Sequence, residues 1–113
     1  MPLPNADTAQ IAAEKIRDYL LSKEHPLGRF KARFFAALGF APERWQELET
    51  ALRIQHLSQD AEPGATSVHG QRFTIRAMLS GQAGQAGMVV SVWFIRANET
   101  VPRFVTAYPG DRR

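Results

Sequence analysis

Apolar positions recur at the helical period of 3.6 residues through the first half of the chain and alternate at the strand period of two in the second half. Asp7 followed by Gln10 fits a capping box. Ala9, Ala12, Ile16, Tyr19 and Leu20 then fall on one stripe, which predicts a first helix over residues 7–21. A second helix is expected from His25-Pro26, because proline suits the first helical position. Its stripe is Leu27, Phe30, Phe34 and Leu38 with Phe35 beside them, and Gly39 supplies its stop. Gly28 weakens its first turn by roughly 1 kcal/mol relative to Ala, so the regular helix is expected to start late. Pro42 opens a third helix reaching residue 56 or 57, with Trp45, Leu48, Ala51 and Leu52 inward. Residues 58–67 carry no apolar period and read as a loop.

The period then changes to two. Over residues 71–80, Phe73, Ile75, Ala77 and Leu79 share one face, and Arg72, Thr74, Arg76 and Met78 the other. A Gly-Gln-Ala-rich connection follows, too short and without the Lys-Ser/Thr tail of a phosphate loop. Residues 88–95 are an almost unbroken apolar run, as expected of a central strand covered on both faces. Pro102 marks the start of a last strand over 103–108. Helices followed by strands predict one α+β domain over 1–113, with helices about 7–57 on one face of a three- or four-stranded antiparallel sheet spanning about 68–108. The face carrying Phe73, Ile75 and Leu79 is expected to meet the helices, and a short extra strand fits near residues 65–69.

Composition narrows the chemistry. The absence of cysteine excludes disulfides and thiolate catalysis, and three scattered histidines do not fit a closed zinc site. No apolar run has the length of a membrane span, and the first residues lack the basic and apolar parts of a secretory leader, so a cytoplasmic protein is expected. Eleven of the 14 basic residues are Arg and the net charge is +3, distributed as +2 over residues 1–34, −3 over 35–67 and +4 over 68–113. Arginine in excess of lysine suits bidentate contact with phosphate, so basic ends flanking an acidic middle point to a polyanion.

Two clusters carry candidate chemistry. His25 at a helix start feels the positive end of the dipole, which favours a neutral imidazole able to accept a proton. Lys31, Arg29 and Arg33 follow it and could stabilise charge on a phosphorane. The second cluster lies on the last strand, where Arg103 can grip phosphate and Thr106 and Tyr108 can donate to its oxygens. Strict alternation puts Thr106 and Tyr108 on one face and Arg103 on the other, unless a bulge intervenes. His56, at a helix end, and the two tryptophans are expected to be structural. Trp93 would stack a base only if it faced outward, and His69 has no role that the sequence specifies.

The stretches Lys15-Ile16-Arg17-Asp18-Tyr19-Leu20-Leu21, His25-Pro26-Leu27-Gly28-Arg29-Phe30-Lys31-Ala32-Arg33-Phe34-Phe35 and Gly39-Phe40, with Val92-Trp93-Phe94-Ile95 and Pro102-Arg103-Phe104-Val105-Thr106-Ala107-Tyr108-Pro109, resemble a bacterial family of small toxin-like domains. The likeness spans about residues 10–109. That family is similar to the barnase–EndoU–colicin–RelE group of metal-independent ribonucleases. The resemblance implies RNA as substrate, no cofactor or metal, no membrane, and a small antitoxin or immunity protein as partner. It implies a site in which His25 and Lys31 meet Arg103, Thr106 and Tyr108, with Arg29, Arg33, Arg72 and Arg76 holding the flanking RNA. The alternative is a non-catalytic module of the same fold that binds nucleic acid or protein.

Overall fold

A computed structural model of the chain describes residues 1–22, 24 and 29–110, with Arg29 described by its backbone alone. The fold is α+β, with three helices in the N-terminal half packed on a four-stranded antiparallel sheet. Helix α1 (Ala13–Lys15) continues as π-helical turns through Ile16–Leu20. Helix α2 is Arg29–Ala37. Helix α3 (Trp45–Ala51) follows a short 3-10 turn at Pro42–Arg44 and widens into π-helical turns at Leu52–His56. The strands β1 (Glu62–Ser67), β2 (Gly70–Ser80), β3 (Ala86–Arg96) and β4 (Arg103–Pro109) form a meander in chain order.

Alternation does what the pattern required. Phe73, Ile75 and Leu79 of β2, Val89 and Trp93 of β3, and Phe104 and Ala107 of β4 are buried against Ile16, Leu20, Phe35, Leu48 and Leu52 of the helices. Trp93 and Phe104 are cross-strand partners whose rings meet edge to face, with centroids 5.2 Å apart, a geometry that adds to area burial. In α2 the buried positions are Ala32 and Phe35, joined by Leu38 just past its end, while Phe30 is 64% exposed. The expected stripe through Phe30 and Phe34 is therefore rotated, because Phe35 takes the core position and Phe34 packs at its margin. Gly39 ends this helix at φ 98°, a conformation that favours glycine.

Two expectations are corrected. Residues 7–12 do not begin the first helix: a 3-10 turn occupies Ala6–Thr8, and the chain then extends beside β4. The Gln10 amide donates to the Pro102 carbonyl at 2.9 Å, and the Gln10 carbonyl accepts from the Phe104 amide at 2.8 Å. The open edge of β4 demands partners for its backbone, and these two bonds supply them, which the capping box would not. Secondly, the extra strand expected near residues 65–69 is β1, but it starts earlier, at Glu62, inside the segment expected to be loop. All six of its residues are exposed, so it is a sheet edge with no buried alternation to detect.

His56 is the one fully buried imidazole among the described residues. Its Nε2 lies 3.2 Å from the Ala77 carbonyl, which only accepts, so Nε2 carries the proton. Its Nδ1 then accepts from the Ser91 hydroxyl at 2.7 Å, and that oxygen accepts from Trp93 Nε1 at 2.9 Å. The chain of bonds is complete and ties α3 to β2 and β3. Burial holds the His56 pKa below its ordinary value of 6.5, opposed in part by the bond to Ala77.

Two outcomes follow. Ser91→Ala orphans both His56 Nδ1 and Trp93 Nε1 and should cost about 1–3 kcal/mol for each group, read as a lower urea midpoint. Because the folded pKa of His56 is depressed, its contribution is fully present above the unfolded value of 6.5 and is lost as pH falls below it, where the unfolded chain takes up a proton first. The melting temperature should drop between pH 7 and 5, and the drop should be shallower in His56→Gln.

Candidate functional site

The sheet face away from the helices is organised as cross-strand rows. Register puts Arg72, Phe94 and Arg103 opposite one another, then Thr74, Val92 and Thr106, then Arg76, Val90 and Tyr108. Paired residues share a face. Arg103, Thr106 and Tyr108 can all join it because the β3–β4 register shifts between Val92 and Trp93: Trp93 pairs with Phe104 and Val92 with Thr106, which leaves Val105 as the extra residue. A bulge has intervened and brings the three candidate groups of β4 to the same side.

The bulge is also where lysines converge. α1 and α2 both lie against β4. Lys15 Nζ donates to the Val105 carbonyl at 3.4 Å, and Lys31 Nζ donates to Thr106 Oγ1 at 3.2 Å and to Tyr19 Oη at 2.9 Å. The same ammonium lies 5.0 Å from the centre of the Tyr19 ring, within cation–π range. Among the described residues no carboxylate forms an ion pair with either lysine. Lys31 is half-buried, so its charge is fixed in place by hydroxyls and has no counter-ion among the described residues, a state suited to binding an anion.

Beside the bulge opens a cavity of about 680 Å³ between the Gln10–Lys15 segment and the outer sheet face. Lys15, Arg72, Arg96 and Arg103 line it, with Phe94 on its floor. Arg103 Nε and Nη2 donate to Glu99 at 3.1 and 3.3 Å, and its Nη1 donates to the Gln10 side chain at 3.1 Å. The Arg103 hydrogen bonds hold the Glu99 carboxyl below its ordinary value of 4.5, so it is ionised at neutral pH. Arg96 approaches the same carboxylate at 3.8 Å. One acid thus faces two arginines, while Arg72 and Lys15 add charge with no acidic partner among the described residues, leaving the cavity electropositive.

The predicted residues divide accordingly. Lys31 and Thr106 are brought into contact, and Arg103 shares the strand and face of Thr106 but is held by Glu99 and Gln10. Tyr108 is 39% exposed, one row beyond Thr106 and across Val90 from Arg76. Arg72 lines the cavity; Arg33 is exposed on α2. His25 and the Arg29 side chain lie outside the described residues. His56 and Trp93 are buried in the core. Exposed His69 borders a smaller recess that shares Phe94 and Arg96 with the cavity. Sequence reading missed Lys15, Tyr19, Phe94 and Arg96. The four-residue spacing of Lys15 and Tyr19 puts both on one helix face and could have flagged them, whereas Phe94 was hidden within an apolar run.

Among the described residues no cluster of three His, Asp or Glu side chains could hold a metal ion, and no helix is long and apolar enough to cross a membrane. Comparison with curated proteins and with solved structures returned no match. A family model does match, over residues 2–111, and its description is a domain of unknown function. This chain, with its lysine-lined bulge and open basic sheet face, belongs to the DUF6883 family.

Proposed function

We propose that the protein is a metal-independent endoribonuclease of the toxin type, acting on RNA laid across the open face of the sheet. The observation that carries this reading is the Lys31–Thr106 contact of 3.2 Å at the β4 bulge, an ammonium with no counter-ion among the described residues, beside a hydroxyl and next to a basic cavity. A phosphodiester seated there receives charge from Lys31 and a hydrogen bond from Thr106. Tyr19 fixes the ammonium, Arg103 lies on the same strand as Thr106, and Lys15 reaches that strand from α1. His25, six residues before Lys31 in the sequence, takes the proton from the ribose 2′-hydroxyl. The 2′ oxygen bonds to phosphorus, the bond to the 5′ oxygen breaks, and the leaving oxygen takes its proton from the imidazolium. The products are a 2′,3′-cyclic phosphate and a 5′-hydroxyl. Lys31 stabilises the extra negative charge of the phosphorane. Arg72 and Arg76 on β2, across β3 from β4, hold the flanking backbone. The resemblance to the barnase–EndoU–colicin–RelE group supports the same chemistry and brings with it a cytoplasmic site of action and a small antitoxin or immunity protein as partner.

One observation favours a second reading, a non-catalytic RNA-binding or protein-interaction module. Arg103 is already paired with Glu99, which reduces its availability to a transferring phosphate.

Purified protein incubated with RNA in EDTA should yield fragments ending in 2′,3′-cyclic phosphate. His25→Ala should reduce the rate by about 10²–10⁴-fold, as expected for loss of a general base. Lys31→Met should reduce it by about 10²–10³-fold while the variant stays folded. Expression should arrest growth, relieved by the product of a neighbouring gene. Intact tRNA, rRNA and mRNA after long incubation would rule the nuclease out, and salt-dependent retention of uncut RNA would assign the binding module instead.

A further inference from the structure

Phe94 and Tyr108 are the aromatic rings of the outer sheet face, and Phe94 is the one set beside the basic cavity. Apart from the methionine row at the far end of β2 and β3, its neighbours there are cations, hydroxyl residues and valines, yet this aromatic ring is not sunk into the core: it is half-buried and borders two recesses. One is the 680 Å³ cavity, and the other is a hollow of about 410 Å³ that also includes His69 and Asn98. The ring is flanked by arginine on both neighbouring strands, Arg72 of β2 and Arg103 of β4, which are its register partners. Arg96 stands two residues further along its own strand, on the same face.

The ring is also held in position. Gly70 has φ 148°, and a Cβ there would come within 2.8 Å of two Phe94 ring carbons and would collide with the Ile95 carbonyl. Only a glycine lets the ring lie down against the β2 backbone, so its position is set before any ligand arrives. A fixed aromatic ring costs little entropy on binding. The Arg72 guanidinium makes no hydrogen bond or ion pair with any described residue.

We propose that Phe94 is a base-stacking platform for single-stranded RNA, with the phosphates on either side of the stacked nucleotide contacted by Arg72 and Arg96. The proposal rests on the RNA reading above and assigns it a nucleotide subsite. An aromatic ring among cations is the arrangement by which proteins hold single strands: every base offers a π face, and the charges follow the backbone. Phosphate alone would need the arginines but not the ring. The ring therefore points to a ligand that carries bases.

The test uses full-length protein and two fluorescein-labelled hexamers with 2′-O-methyl riboses, which cannot be cut by 2′-hydroxyl attack. One carries bases and the other is abasic throughout. Fluorescence anisotropy at fixed salt should give the base-carrying hexamer an affinity roughly tenfold higher, the scale of one aromatic stack. Phe94→Leu should lose that ratio while keeping abasic binding, and Phe94→Tyr should keep both. Equal affinities in the wild-type protein, a comparison that needs no variant to fold, would overturn the platform and leave RNA cleavage standing. An unchanged ratio in folded Phe94→Leu would do the same. Failure of both hexamers to bind would overturn the platform together with the RNA reading.

Discussion

Everything on the open face depends on one extra residue in β4. An antiparallel pair with strict alternation cannot put positions 103 and 106 on the same side, because an odd separation reverses the face. Inserting Val105 between the Trp93–Phe104 and Val92–Thr106 pairs resolves the conflict. Phe104 and Ala107 still reach the core, while Arg103, Thr106 and Tyr108 all face outward. The same irregularity presents the Val105 carbonyl to Lys15, so the helical layer is attached to the sheet at the point where the strand departs from regularity. Bulges placed beside a site commonly re-aim side chains in this way.

The edge of β4 sets the second constraint. A terminal strand leaves its outer amides and carbonyls unpaired, which invites association with another chain. Residues 10–15 close that edge through backbone bonds at Gln10 and the Lys15 side chain, and in doing so they form one wall of the basic cavity. Edge protection and cavity formation are therefore one structural act. The opposite edge, β1, is exposed along its length and carries Pro63 and a register shift between Pro63 and Thr66, both of which weaken it as a template for further pairing.

Much of the fold was legible because each element's apolar face has a single partner layer. The alternation in β2 and the stripe of α3 translate directly into buried Phe73, Ile75, Leu48 and Leu52. What was hidden had a physical cause in each case. β1 buries nothing, so it leaves no pattern. Asp7 and Gln10 carry a correct local capping signal, but the demand of the β4 edge, set by residues about 90 positions away, overrides it. Phe94 sits between Trp93 and Ile95 in a run whose composition cannot distinguish a core ring from a surface ring, and only the Arg72 and Arg103 register assigns its face. Of the candidate site, the pairing of α2 with the end of β4 was anticipated through Lys31 and Thr106. The roles of Tyr19 and Lys15 needed the packing of α1 beside them.

The proposed RNA reading makes the two parts of the face neighbouring steps for one strand. Successive same-face positions along a β-strand are separated by roughly 7 Å, so the Phe94 row and the Val92–Thr106 row are adjacent steps on the sheet. On that reading, with the phosphates flanking the stacked nucleotide at Arg72 and Arg96, the next phosphate along the RNA falls toward the Thr106 row, where Lys31 has no acidic partner among the described residues. In the proposed nuclease, binding energy gathered at the ring and at Arg72 positions that phosphate, the use of remote contacts that raises turnover rather than affinity alone. The Arg103–Glu99 pair fits this division of labour. Arg103 adjoins both rows, and its bonds to Glu99 and Gln10 hold its guanidinium in a fixed orientation at the junction instead of leaving it free to follow the backbone.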